Sequence, residues 1–217
     1  MTTTDTPSQK AVIHSLFAIP LMSIPGFANA SMIDQLLESF SKSRFQSNSH
    51  HAALSHSSML GADELSELSR LIPGLDDHLR VFGEQLFGER LLWQIKEAWF
   101  NRLEHGGVQH DHIHANSFVS GVLYLSDSDQ SANPVFHRPS GGAEFVFSNF
   151  HAESMVTPYN AARWQLPKIS AGDLILFPSY LRHGVPMNNG SSRLSLAFNA
   201  IPNRLNSWGY EIQFSEA

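Results

Sequence analysis

The stretch Gln109-His110-Asp111-His112-Ile113-His114-Ala115-Asn116-Ser117 places three imidazoles within five residues. What they can do depends on the backbone period. In a strand, residues i and i+2 project to one face with a rise of about 3.3 Å per residue, so His112 and His114 can converge on one ion. On a helix the same pair would diverge by about 200°. His110 and His112 share that spacing and could supply the pair instead, whereas Asp111 is out of phase with His112 and His114. Two imidazoles are half a transition-metal site, which needs a further protein ligand and, if catalytic, open positions for substrate. His183, in the turn Ser179-Tyr180-Leu181-Arg182-His183-Gly184-Val185-Pro186 after an expected strand, is the best-placed third ligand. His105, His137 and His151 fall in less defined loops.

A second chemical feature is Arg193-Leu194-Ser195-Leu196-Ala197-Phe198-Asn199. Alternation sets Leu194, Leu196 and Phe198 on one face of a strand and Arg193, Ser195, Ala197 and Asn199 on the other. If both faces are buried, Arg193 becomes a buried cation and needs an anion, because an unpaired buried charge costs several kcal/mol. No acidic residue adjoins it. The partner is then a remote Asp or Glu or the carboxylate of a ligand, with Ser195 adding a hydroxyl.

The elements that must position these residues divide the chain in two. Residues 11–24 are apolar but contain Pro20, which restricts them to an edge strand, and Pro25-Gly26 ends the segment. Ser31 and Asp34 could open a helix whose stripe is Met32, Ile33, Leu36, Leu37 and Phe40. The serine-rich run at 41–58, with His50, His51 and His56, reads as a mobile loop. Helices are predicted over 63–71 and 75–86, parted by Pro73-Gly74. Strands are expected near 93–104, 117–126, 143–148, 162–166, 173–178, 193–200 and 208–214. Helices followed by many short strands predict a mainly β protein with N-terminal helices against one sheet of an antiparallel sandwich or jelly roll. Trp93, Trp99, Trp164 and Trp208 are read as core or rim packing, and the polar segments 126–142 and 148–161 as loops around a mouth.

Composition narrows the classes. The chain has 217 residues, no cysteine, and 14 Lys+Arg against 20 Asp+Glu, a formal charge of −6. Hydrophobic residues at 42% and aromatics at 11% are too rich for a disordered chain. Absence of cysteine excludes disulfide scaffolds, thiolate zinc sites, iron–sulfur clusters and a cysteine nucleophile. The acidity and the lack of a basic cluster argue against nucleic acid as a partner. No apolar run approaches about 20 residues and no secretory leader is evident, so no membrane role and a cytoplasmic location are expected.

Taken together, Trp99-Phe100-Asn101, Gly107, His112-Ile113-His114-Ala115-Asn116-Ser117, Ser120-Gly121-Val122-Leu123-Tyr124-Leu125, Gly172-Asp173-Leu174, Phe177-Pro178, His183 and Arg193-Leu194-Ser195 resemble, in order and spacing, the iron(II)- and 2-oxoglutarate-dependent oxygenases. The likeness is to a branch of bacterial and phage members and covers residues 93–200. Leu16-Phe17-Ala18-Ile19-Pro20-Leu21 before a helix is similar to that branch as well. The ten-residue step from His183 to Arg193 joins, in that family, the distal metal ligand to the arginine that binds the far carboxylate of 2-oxoglutarate.

The resemblance implies a double-stranded β-helix, a cupin-like jelly roll, forming one oxygenase domain over 1–217 with a helical support region over 1–90 and the jelly-roll core over 91–217. It implies Fe(II) on His112, His114 and His183, 2-oxoglutarate and O2 as cosubstrates, ascorbate as a reductant, and a small-molecule or peptide substrate. Arg193 and Ser195 would clamp 2-oxoglutarate, with Tyr124 and Asn101 at positions that touch it. The second ligand departs from the usual His-x-Asp or His-x-Glu. Three imidazoles suit zinc or copper as readily as iron, so two rivals stand beside the oxygenase: a cupin-type dioxygenase without 2-oxoglutarate and a non-catalytic jelly-roll module binding a metal or small acid. Substrate and oligomeric state, a homodimer included, stay open.

Overall fold

The computed structural model describes residues 12–47, 53–139, 149 and 151–215. In chain order the elements are β1 (Met22–Ile24), α1 (Ala30–Lys42), β2 (Phe45–Ser47), β3 (Leu54–Ser57), α2 (Ala62–Leu71), α3 (Leu75–Phe87), β4 (Trp93–Leu103), β5 (Gln109–His112), β6 (Val119–Tyr124), a 3-10 turn (Gln130–Ala132), β7 (Val135–His137), β8 (Arg163–Gln165), β9 (Leu174–Pro178), β10 (His183–Val185), β11 (Arg193–Pro202), β12 (Arg204–Ser207) and β13 (Tyr210–Gln213). They form a seven-stranded sheet in the order β1-β9-β6-β11-β4-β3-β2, a four-stranded sheet in the order β5-β10-β7-β8, and a β12-β13 hairpin. Every strand pairing is antiparallel. This is the expected mainly β jelly roll.

The helices cover the outer face of the large sheet. Leu36 and Phe40 of α1, Leu68 of α2, and Leu75, Leu79 and Phe82 of α3 pack with Ala98, Phe100, Leu196, Phe198 and Ala200 of the sheet in one apolar cluster. Burying a side chain such as Leu79 completely contributes roughly 1.5–3 kcal/mol. The opposite face of the same strands turns inward, towards a smaller cluster of Phe136, Ile175, Phe177 and Leu181 and towards the polar site. β11 is buried on both faces, which makes Arg193 the buried cation that alternation foresaw.

Several local expectations are corrected. α1 is capped by Asn29, whose side chain accepts from Met32 N at 3.0 Å, and Ser31 lies inside the first turn. Glu64 caps α2 by accepting from Gly61 N at 2.7 Å. Within the run read as a mobile loop, β2 and β3 extend the large sheet beside β4, so the 1–90 region supplies strands as well as helices. His56 sits on β3. Of the apolar segment 11–24, Met22–Ile24 forms the edge strand, paired with β9. The single strand expected at 208–214 is a hairpin that turns at Trp208 and Gly209, both at positive φ, leaving Trp208 96% exposed rather than packed. The strand expected at 143–148 and residues His50 and His51 lie outside the described residues. No helix among the described residues is long and apolar enough to cross a membrane.

Candidate active site

Residues 109–112, between two expected strands, and 183–185, read as a turn, are the short strands β5 and β10, paired with each other. Their polar sequence hid them, because neither face shows an apolar alternation. In the register His183 is the direct partner of His112. His114, two residues on, keeps the strand phase, and its backbone N–H donates to Ser179 O at 3.0 Å. Gly184 permits the close pairing: a Cβ there would lie 2.5 Å from Asp111 Oδ1 and 2.9 Å from Gln109 O.

The three rings therefore meet. His112 and His183 have centroids 4.4 Å apart, and His114 lies 5.1 Å from each. One ligand nitrogen from each falls within 4.8 Å of the others, and among the described residues this is the group able to hold a metal ion. His110 meets the group through its backbone carbonyl, which accepts from His112 Nδ1 at 2.8 Å. Leu181 O does the same for His183 Nδ1 at 2.8 Å. Both bonds leave Nε2 with its lone pair for a metal. Asp111 faces elsewhere and pairs with His137 Nε2 at 3.0 Å and Arg182 Nη2 at 3.3 Å. His105, on Gly190 O, and His151, in an exposed loop, lie outside the group.

Burial, and then the neighbouring His112, push His114 down to about 4 and His183 down to about 3. Both rings are consequently neutral near pH 7, the state in which imidazole ligates.

Behind the histidines a cavity between the sheets is lined by Asn101, Tyr124, Arg193 and Ser195 together with His112, His114 and His183. Arg193 is 4% exposed. Its Nη1 donates to Ala132 O and its Nε has no partner. No carboxylate of the described residues forms an ion pair with it. Its guanidinium carbon lies 5.7 Å from the Tyr124 ring centre. The Tyr124 hydroxyl is also buried without a partner, and burial raises its pKa to about 12, so it remains a neutral donor. A buried cation, an orphaned hydroxyl and a hydroxyl on Ser195 line one cavity, a donor set that a carboxylate would satisfy.

Sequence reasoning missed three residues around this centre. Trp99, read as packing, stacks on His114 at 5.7 Å and 22° and lines both the inner cavity and an outer one of about 370 Å³. Asn199 and Glu97 reach the other edge of His114: Asn199 Nδ2 lies 2.9 Å from His114 Nδ1 and 2.8 Å from Glu97 Oε1. The signal for Asn199 was its place on the Arg193 face of β11. For Glu97 it was strand phase with Trp99 and Asn101.

Residues 97–199 match the 2OG-Fe(II) oxygenase family. The likeness is to that oxygenase superfamily, over 103 of the 217 residues. The matched span runs from the glutamate beside Asn199 to Asn199 itself and takes in all three histidines and Arg193. No curated protein matches this chain by sequence. Solved structures share its fold. HygX from Streptomyces hygroscopicus, crystallised with nickel, 2-oxoglutarate and hygromycin B, is 16% identical over 85% of this chain and 83% of its own, with a TM-score of 0.58. A 2OG-Fe(II) oxygenase family oxidoreductase from Burkholderia pseudomallei is 15% identical over 83% of each chain, with a TM-score of 0.60. SnoN, an alpha-ketoglutarate-dependent epimerase of nogalamycin biosynthesis, is 13% identical over 86% of this chain and 80% of its own, with a TM-score of 0.58.

Proposed function

We propose that this protein is an Fe(II)- and 2-oxoglutarate-dependent dioxygenase that hydroxylates a small molecule or peptide. His112, His114 and His183 would hold the iron, and Arg193 and Ser195 would bind the far carboxylate of 2-oxoglutarate, with Tyr124 and Asn101 donating beside them. The observation that carries the reading is Arg193: a guanidinium buried with no carboxylate among the described residues, in the same cavity as three converging imidazoles. The donor set fits the metal, because three neutral imidazole nitrogens bind a divalent first-row ion and leave positions for exchangeable ligands. HygX, crystallised with 2-oxoglutarate on the same fold, supports the cosubstrate.

When bound, the iron would supply the activation of O2, one oxygen atom going to the succinate formed with CO2 from 2-oxoglutarate and the other to the substrate, with ascorbate able to restore the ferrous state. The chain's own work is placement. The backbone carbonyls of His110 and Leu181 fix two rings, Arg193 sets the depth to which a dicarboxylate can enter, and Phe177 and Ile175 wall the inner cavity against water. The outer cavity, bordered by His56, Met59, Glu97, Trp99, Gln109 and Ile113, is the place for the primary substrate. We place the protein in the cytoplasm.

The test is conversion of 2-oxoglutarate to succinate under air with Fe(II) and ascorbate, which is expected in the wild type and not in Arg193→Ala. The histidine at the position where a carboxylate is usual favours one other reading, a cupin-type dioxygenase. Oxygen uptake that needs iron but not 2-oxoglutarate would establish it.

A further inference from the structure

Three imidazoles converge on one centre, but they are not held alike. His112 and His183 each turn Nδ1 to a backbone carbonyl, at 2.8 Å in both cases. A carbonyl only accepts, so in each neutral ring the hydrogen sits on Nδ1 and Nε2 is free to ligate.

His114 has no such carbonyl. Its Nδ1 faces the Asn199 amide, and the orientation of that amide is set by its other neighbours. Glu97 Oε1 lies 2.8 Å from the amide nitrogen and, as a carboxylate, only accepts. Asn199 Oδ1 takes a hydrogen from Ser120 Oγ at 2.7 Å, and Ser179 Oγ, 2.9 Å from Ser120 Oγ, completes the chain. Ser120 could serve either amide orientation, because a hydroxyl both donates and accepts. Glu97 could not, since a turned amide would set two oxygens against each other. Asn199 Nδ2 therefore keeps a hydrogen for His114 Nδ1 at 2.9 Å, and that nitrogen must accept. The hydrogen of the neutral His114 ring is left on Nε2, where an ion would need a lone pair.

We propose that Glu97 and Asn199 hold His114 in the tautomer opposite to that of His112 and His183, making His114 the weakest and most readily exchanged of the three metal-binding imidazoles. The inference rests on the metal reading above. Ligation through His114 Nε2 must move its proton or turn the Asn199 amide against Glu97, and either costs affinity. His112 and His183 carry no such cost. The ion rests on that firm cross-strand pair, and the third position exchanges with water or a small anion. Glu97 and Asn199 are positioning residues, acting on the metal only through the ring.

The tautomers are read first in metal-free protein with isotope-labelled histidine, from proton–nitrogen correlations at neutral pH. Hydrogen on Nδ1 of His112 and His183 and on Nε2 of His114 is expected; hydrogen on Nδ1 of His114 overturns the proposal. Co(II) affinity is read next. His112→Ala and His183→Ala should each lose roughly 100-fold or more, and His114→Ala roughly tenfold or less, on the scale by which ligand surroundings tune such sites. Equal losses at the three positions overturn the ranking.

The double variant Glu97→Gln/Asn199→Asp puts a carboxylate where it accepts from His114 Nδ1–H. Co(II) affinity should then rise roughly tenfold, with the hydrogen of His114 moved to Nδ1. Unchanged affinity in a folded double variant counts against the proposal, and the wild-type tautomers decide it if the variant does not fold. A wild type that binds no Co(II) overturns the metal reading and the ranking with it, while the tautomers are still read independently.

Discussion

His183 and His112 are cross-strand partners in an antiparallel pair of short polar strands, with ring centroids 4.4 Å apart. One backbone register thus brings together two side chains 71 residues apart in sequence, 183 − 112, and their Nδ1 atoms are each tied to the carbonyl two residues upstream. The pair is preorganised before any ion arrives.

Removing one member should leave the fold but not the site. His183→Ala is expected to abolish tight Fe(II) binding while keeping the wild-type circular dichroism spectrum. Isothermal titration under anaerobic conditions measures it, and wild-type affinity in the variant would remove His183 from the ligand set.

Gly184 offers a test that touches no ligand. Its missing Cβ would lie 2.9 Å from Gln109 O, a backbone atom, so Gly184→Ala must push β10 away from β5. Fe(II) affinity should fall by roughly tenfold or more, the range seen when ligand positioning is disturbed. Unchanged affinity would show that the strand pairing does not set the separation of His112 and His183.

Arg193 is expected to act on the cosubstrate rather than the metal. Truncating one side of a buried charge pair costs about 2–5 kcal/mol, so Arg193→Ala should weaken 2-oxoglutarate binding by roughly 30-fold or more. Fe(II) affinity should stay close to that of the wild type. Equal 2-oxoglutarate affinity in the two proteins would give Arg193 a purely structural role.

Acid should destabilise the metal-free protein through the same cluster. His114 at about 4 and His183 at about 3 lie below their ordinary value of 6.5, chiefly through burial. Between pH 6.5 and about 3 the unfolded chain binds more protons than the folded one. Stability is therefore intact above that window and falls as pH is lowered through it. Urea midpoints of the metal-free protein should drop from neutral pH to about pH 5, and the drop should shrink in His114→Gln/His183→Gln. The same drop in both proteins would place the acid sensitivity elsewhere.

Much of this site was legible because strand phase carries chemistry as well as packing. The i, i+2 step puts His112 and His114 on one face, and alternation along 193–199 separates Arg193 and Ser195 from Leu194, Leu196 and Phe198. The helices were legible from their apolar stripes, such as Leu75, Leu79 and Phe82. What was hidden was short and polar. Gln109–His112 and His183–Val185 show no apolar period because their faces carry histidines on one side and Asp111 on the other. Phe45–Ser47 and Leu54–Ser57 were masked by serine-rich surroundings and exist as strands because β4 offers them an edge. Glu97 and Asn199 lie 102 residues apart, and only the β4–β11 register, which makes them partners, reveals their contact with each other and with His114.

The most direct test of the central claim is an anaerobic titration of the apoprotein with Fe(II) and then 2-oxoglutarate, watching for the weak visible charge-transfer band of a chelated complex. A band that grows only when both are present, and is absent in His183→Ala, is the expected result. Iron binding with no band at saturating 2-oxoglutarate would contradict the dioxygenase assignment.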